Sequence, residues 1–225
     1  MIFELGQQIA FPPAVYAEPD GLLAFGGDLN IDRLLTAYSS GIFPWFNPDD
    51  PILWWSPDPR PLIYPDRMRV TKSLRRTIAK GKFDISFDTD FKAVIENCAK
   101  VPRKGQDGTW LTAEMKEAYL NLHKHGYCHS VEARLDGELV GGLYGVALGK
   151  AFFGESMFHK VSDASKVAFY YLCKKLNDKE FHFIDGQVST PHLLSLGAVE
   201  VSRDLFLKKL GEALKYPTER DFWSD

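Results

Sequence analysis

The chain lacks the features of a secreted, membrane-spanning or metal-finger protein. Its 225 residues contain only three cysteines, Cys98, Cys128 and Cys173. They are odd in number and widely spaced, which argues against a disulfide framework and fits a reducing cytoplasm. Long apolar runs are missing too. The longest uncharged stretch, residues 139–149, is broken by four glycines and is too short to cross a bilayer. The opening M-I-F-E-L has no basic region ahead of an apolar run, so no secretory leader is expected. There is no P-loop, no serine nucleophile elbow, no C-x-x-C pair and no H-E-x-x-H helix. His123, His125, Cys128 and His129 form a metal-like string without any of those spacings. The first two fall at a predicted helix end, where cations complement the dipole. No metal and no cofactor is expected.

What is present is an ordinary globular composition, 45% hydrophobic and 25% charged, with a net charge of −3. The charge is unevenly placed. Residues 1–59 hold one base, Arg33, against eight acids, whereas residues 60–82 hold eight bases against Asp66 alone. Within this basic block, T-K-S-L-R-R-T-I-A-K-G from Thr71 reads as a helix with Thr71 as its N-cap and Gly81 as its stop. At 100° per residue, Lys72, Arg75, Arg76 and Lys80 fall within about 140° of one another. Leu74 and Ile78 lie opposite them, ready to pack. The basic face is either a solvated helix surface or a contact for a phosphate backbone.

Eight of the thirteen prolines precede residue 60, which disfavours long helices there; the best-supported regular element is a helix over 32–39, among loops rich in aromatics. Residues 1–59 thus read as a small proline-braced domain. From residue 83 strands and helices alternate. Strands are expected over 83–87, 129–135, 138–146, 151–158, 181–188 and 199–202. Helices are expected over 91–99, from Thr112 to Gly126, from Ser162 or Asp163 to 176, from Thr190 to Gly197, and over 203–214. A mixed, largely antiparallel sheet with covering helices follows, an α+β architecture for residues 60–225.

Two strands carry isolated polar groups. In F-H-F-I-D-G-Q-V, Asp185 and Gln187 would share a face about 7 Å apart along the strand, with Gly186 admitting a close neighbour. Such a pair can position an amine or help move its proton, and it also fits a plain strand-end turn. In F-F-G-E-S-M-F, Glu155 and Met157 share a face, which suits a pocket with one charged and one apolar end. An ordinary strand exposed on one side has the same pattern.

Taken together, G-L-L-A-F-G-G-D-L (21–29), G-I-F-P-W-F (41–46), D-P-I-L-W-W-S-P-D-P-R (50–60), G-T-W-L-T (108–112), G-G-L-Y-G-V (141–146), G-E-S-M-F (154–158) and I-D-G-Q-V (184–188) resemble, in order, the leucyl/phenylalanyl-tRNA–protein transferases. The resemblance implies transfer of Leu or Phe, and sometimes Met, from aminoacyl-tRNA onto the α-amine of proteins beginning with Arg or Lys. The product is a degradation signal of the bacterial N-end rule. It implies a small N-terminal domain, here 1–59, followed by a GNAT-like (acetyltransferase-fold) domain over 60–225, although the Q/R-x-x-G-x-G/A turn that binds coenzyme A is missing. By position, Asp185 and Gln187 resemble the catalytic pair and Glu155 the acidic partner of the acceptor. Trp45 and Trp110 resemble the walls around the terminal adenosine, and Met157 the lining of the donor side-chain pocket. Leu143 stands where the family has Met, and Gly186 where it often has a bulkier residue. Lys72, Arg75, Arg76 and Lys80 match the basic helix that holds the acceptor stem. A monomer without membrane contact is expected. Two other readings are a coenzyme A-dependent N-acyltransferase and a non-catalytic RNA- or glycan-binding module that stacks its ligand on Trp45, Trp54 and Trp55.

Overall fold

The computed structural model describes residues 2–100 and 111–224. Its N-terminal part is more regular than the proline count suggests. Strands β1 (Phe3–Leu5), β2 (Leu22–Gly26), β3 (Phe43–Pro44) and β4 (Leu53–Trp55) make a four-stranded sheet in the order β1-β2-β4-β3, with helix α1 (Ile31–Ser39) inserted between β2 and β3. Prolines are tolerated because these strands are short and the prolines fall at their ends or between them. The aromatics read as loop residues supply the sheet's buried face. Trp54 is buried, and its Nε1 donates to the Gly26 carbonyl at 2.9 Å.

Strand β5 (Arg60–Ile63), for which no strand is expected from the sequence, belongs to the second sheet. Helix α2 (Lys72–Ala79), β6 (Asp84–Phe87), α3 (Phe91–Ala99) and α4 (Ala113–Lys124) follow. Then come β7 (Cys128–Leu135), β8 (Glu138–Leu148), β9 (Ala151–His159) and α5 (Ala164–Asp178), and last β10 (Phe183–Asp185), α6 (Pro191–Ser195), β11 (Val199–Val201) and α7 (Arg203–Ala213). The strand order is β11-β5-β10-β9-β8-β7-β6, antiparallel throughout except for the β10–β9 pair. The helices start where the sequence places caps. The Thr71, Thr112, Thr190 and Ser202 hydroxyls accept from the backbone N–H three residues on, which satisfies donors a helix end leaves open.

Alternation along β8 divides the core. Leu143 and Ala147 face α5, while Tyr144 and Val146 face α3, α4 and the N-terminal sheet. The expected α+β architecture is therefore observed, with helices on both faces of the larger sheet. No helix of the described residues is long and apolar enough to cross a membrane.

The expected strand over 181–188 is shorter than its pattern. It ends at Asp185, and Gln187 takes a left-handed backbone conformation with φ of 62°. Asp185 and Gln187 are therefore not two positions on one strand face. The Gln187 N–H instead donates to Asp185 Oδ1 at 2.8 Å, the local side-chain bond that turns a strand end.

Candidate active site

The parallel pairing of β9 with β10 stops at the Phe153–Asp185 pair. Beyond it β9 runs on to His159 while the other chain turns away at Gly186 and Gln187. Where the two part, a cavity of about 480 Å³ opens. Its lining joins Leu143 of β8, Glu155 and Met157 of β9, Phe169 and Leu172 of α5, and Trp45 just after β3. Gly186 has the close neighbour that its place in the sequence suggests. A Cβ there would lie 2.7 Å from Leu193 Cδ1, so the turn packs tightly against α6.

Glu155 is the extra residue of a bulge in β9: Tyr144 pairs with Ser156 and Gly145 with Gly154, which leaves Glu155 unpaired. The bulge turns its carboxylate inward. Buried there, it accepts from the Tyr38 hydroxyl (2.7 Å) and Gln187 Nε2 (2.7 Å) on Oε1, and from the Tyr119 hydroxyl (2.8 Å) on Oε2. All three donors are neutral, and among the described residues no cation pairs with this carboxylate. The two tyrosine oxygens are themselves 2.7 Å apart. Three oxygen–oxygen contacts thus form a closed ring, and two hydroxyl protons can serve only two of them. The third becomes a hydrogen bond when the carboxyl carries a proton. Burial, acting against the three donated hydrogen bonds, pushes the Glu155 carboxyl up to about 7, and the charge of Asp185 adds to the rise. Burial first, and then Glu155, raise both tyrosines well above the ordinary phenol range, so they stay protonated donors.

Asp185 is fully buried and held by a cation. Arg60 Nε donates to its Oδ1 at 2.8 Å and Nη2 to its Oδ2 at 2.7 Å. Arg60 Nη1 also donates to the Gly41 carbonyl at 3.2 Å, and the guanidinium carbon lies 4.9 Å from the Phe43 ring centre and 4.4 Å from that of Phe206. Asp185 in turn fixes the Gln187 backbone, and Gln187 fixes Glu155. The chain of contacts runs Arg60, Asp185, Gln187, Glu155, Tyr38 and Tyr119.

The cavity thus brings together Trp45, Leu143, Glu155, Met157, Asp185 and Gln187. Trp45 is half-buried, with its ring centre 5.6 Å from that of Trp55. Trp110 lies outside the described residues. Lys72, Arg75, Arg76 and Lys80 do not line the cavity. The first three are exposed on α2 and Lys80 is exposed just past its end, while Leu74 is buried on the opposite side. The histidine string is dispersed into local bonds: His129 Nδ1 is 2.7 Å from Asp88 Oδ2, and His123 Nδ1 is 2.8 Å from the Cys128 carbonyl. Sequence reasoning missed Arg60, Tyr38, Tyr119 and the cavity-lining His192. A buried Asp185 requires a cation, and Arg60 closes the quoted D-P-R stretch, so that partner had a signal. The tyrosines read as apolar-face residues of their helices, and nothing local shows that their hydroxyls converge.

Two family models match the chain: that of the leucyl/phenylalanyl-tRNA protein transferase over residues 62–211, and that of its N-terminal domain over 27–58. Among curated relatives, the leucyl/phenylalanyl-tRNA–protein transferase of Solidesulfovibrio magneticus is 58% identical over 94% of this chain and 86% of its own length. Those of Maridesulfovibrio salexigens (53%, covering 99% of this chain and 93% of that one) and Myxococcus xanthus (53%, covering 96% and 92%) are similar throughout. Solved structures are more remote. A conserved protein of Bacteroides thetaiotaomicron has a TM-score of 0.45 at 12% identity, covering 64% of this chain and 57% of that one. A GCN5-related N-acetyltransferase from Kribbella flavida has a TM-score of 0.35 at 12% identity, covering 75% and 60%.

Proposed function

This chain belongs to the leucyl/phenylalanyl-tRNA–protein transferase family, and from that membership and the cavity's chemistry we propose that it moves Leu or Phe, and sometimes Met, from aminoacyl-tRNA onto the α-amine of proteins beginning with Arg or Lys, marking them for degradation. The observation that carries this reading is the buried carboxylate of Glu155, solvated by neutral donors alone in a cavity lined mostly by apolar side chains. A site of this kind takes a cation beside an apolar group, which the two substrates supply together.

In this reading Leu143, Met157, Phe169 and Leu172 hold the donor side chain. A pocket lined this way separates Leu and Phe poorly, since one methylene is worth about 1–3 kcal/mol, while β-branched Ile and Val meet its walls at the first branch. Trp45, with Trp110, stacks the terminal adenosine, a contact worth about 1–3 kcal/mol. Glu155 takes the cationic side chain of the acceptor's first residue. Gln187, whose Nε2 is bound to Glu155, presents its carbonyl oxygen to the acceptor amine and orients it, and Asp185 acts through Gln187. The chemical demand is modest. The amine nitrogen bonds to the ester carbonyl, the ribose oxygen leaves, and the proton lost by the amine passes to that oxygen. An α-amine with a pKa of about 7.7–8.0 is roughly a tenth neutral at pH 7, so orientation supplies most of the gain. The basic face of α2 holds the acceptor stem, and the enzyme works as a cytoplasmic monomer with functional units over 1–59 and 60–225.

The test is transfer of labelled Phe from Phe-tRNA onto a protein beginning with Arg, matched to the same protein N-acetylated and to ribonuclease-treated donor. Label is expected only with the free N-terminus and intact tRNA. Label moving from acetyl-coenzyme A instead, or tRNA binding without transfer, overturns the reading.

A further inference from the structure

One side of the cavity mouth carries basic side chains that take no part in the transfer described above. His192 lines the cavity from α6, and its Nε2 lies 3.2 Å from the sulfur of Met157. His159 is two residues beyond Met157 in β9 and exposed, so the two point to the same side of the strand. Opposite His159 stands Gly141, onto which the first turn of α5 is packed so closely that a Cβ at Gly141 would lie 2.5 Å from that of Ala164. Lys166 belongs to the same turn. Its Nζ is 3.7 Å from Asp163 Oδ1, and its side chain is 43% exposed. Asp163, the N-cap of α5, is left-handed and makes no capping bond. Its Oδ2 instead accepts from Thr77 of α2 at 3.3 Å. Met157, His192, His159 and the first turn of α5 thus lie on one side of the cavity mouth, and the Thr77–Asp163 hydrogen bond ties that turn to α2, which bears Lys72, Arg75 and Arg76.

We propose that His159, Lys166 and His192 form a phosphate subsite for the single-stranded 3′ end of the donor, engaging the phosphodiester on the 5′ side of the aminoacylated adenosine. The proposal rests on the tRNA-dependent reading above and adds where the strand runs between the cavity and α2. An anion fits the corner because three nitrogen-bearing side chains crowd it against one carboxylate, Asp163, which is already bound to Thr77 and Lys166. Burial lowers the His192 imidazole below the ordinary histidine range, and Lys166 and His159 lower it further. An arriving phosphate supplies the negative charge these groups lack and is met by charge-assisted bonds. A phosphodiester is the anion that continuity with both the adenosine end and the basic helix selects.

The test compares two small donors, 3′-O-phenylalanyl-adenosine with a free 5′-hydroxyl and the same nucleoside ester carrying a 5′-methyl phosphodiester. The wild-type protein is expected to use the phosphodiester donor with a kcat/KM roughly fivefold to tenfold higher, an advantage that shrinks as salt rises. His192→Gln and Lys166→Gln are expected to reduce this ratio to within about twofold of one, and Lys166→Glu to bring it below one. A ratio kept at the wild-type value in all three variants, or a wild-type ratio of one, overturns the subsite while leaving the tRNA-dependent reading in place. If neither small donor nor Phe-tRNA supports transfer by the wild-type protein, that reading fails and the subsite falls with it.

Discussion

Arg60 and Asp185 face each other across 125 residues of sequence through two parallel hydrogen bonds, Nε to Oδ1 at 2.8 Å and Nη2 to Oδ2 at 2.7 Å, with neither side chain open to solvent. The pair joins the first strand of the larger sheet to the turn that carries Gln187. A carboxylate so engaged is a brace, and it holds the Gln187 backbone N–H in place.

Removing one partner leaves the other charge buried. Arg60→Met and Asp185→Leu are each expected to cost about 3–5 kcal/mol in urea unfolding, and the double variant less than either alone. Arg60→Lys does not rescue, because an ammonium cannot span both oxygens. Additive losses in the double variant would contradict the brace.

The ring of Tyr38, Tyr119 and Glu155 makes stability and binding depend on pH with a defined sign. The Glu155 carboxyl titrates at about 7 in the folded chain against 4.5 for the ordinary group. Between those values the folded state binds more protons than the unfolded one. Stability is therefore fully present below about 4.5, falls as pH rises through 7, and changes no further above it. The urea midpoint of the wild type should drop between pH 5 and pH 7.5, and that of Glu155→Gln should not. Tyr38→Phe and Tyr119→Phe each remove a donor that favours the carboxylate. They should move the acidic limb of kcat/KM for the acceptor to higher pH. A limb that stays in place would separate Glu155 from acceptor binding.

The exposed cations of α2 stand apart from the cavity. Arg75→Gln or Arg76→Gln should raise KM for tRNA and reduce the slope of log KM against log salt by about one unit per charge removed. The preference among Leu, Phe and Ile donors should stay unchanged. A variant that alters amino-acid choice with the slope intact would contradict this division of labour.

The parts of this structure that local patterns encode were legible in the sequence. Thr71 and Thr112 cap helices where hydroxyl and apolar spacing place them, and Phe91–Ala99 matches its expected range. Convergence was not legible. The strands of residues 3–55 are not legible because runs of two to five residues are too short to show a clear period, and Arg60–Ile63 pairs with strands more than 120 positions away. Asp185 and Gln187 were read as alternate positions of one strand because a period of two runs through them. The left-handed φ at Gln187, a non-glycine, leaves no mark in composition. Burial of Glu155 follows from a bulge, which pattern reading does not see.

The central claim, that Glu155 takes the charged side chain of the acceptor's first residue, is tested most directly by competing acceptors beginning with Arg and with citrulline, its neutral isostere. The wild type should favour Arg in kcat/KM by about tenfold or more, and Glu155→Gln should favour neither. Equal use of the two acceptors by the wild type, or undiminished discrimination in Glu155→Gln, would contradict the account.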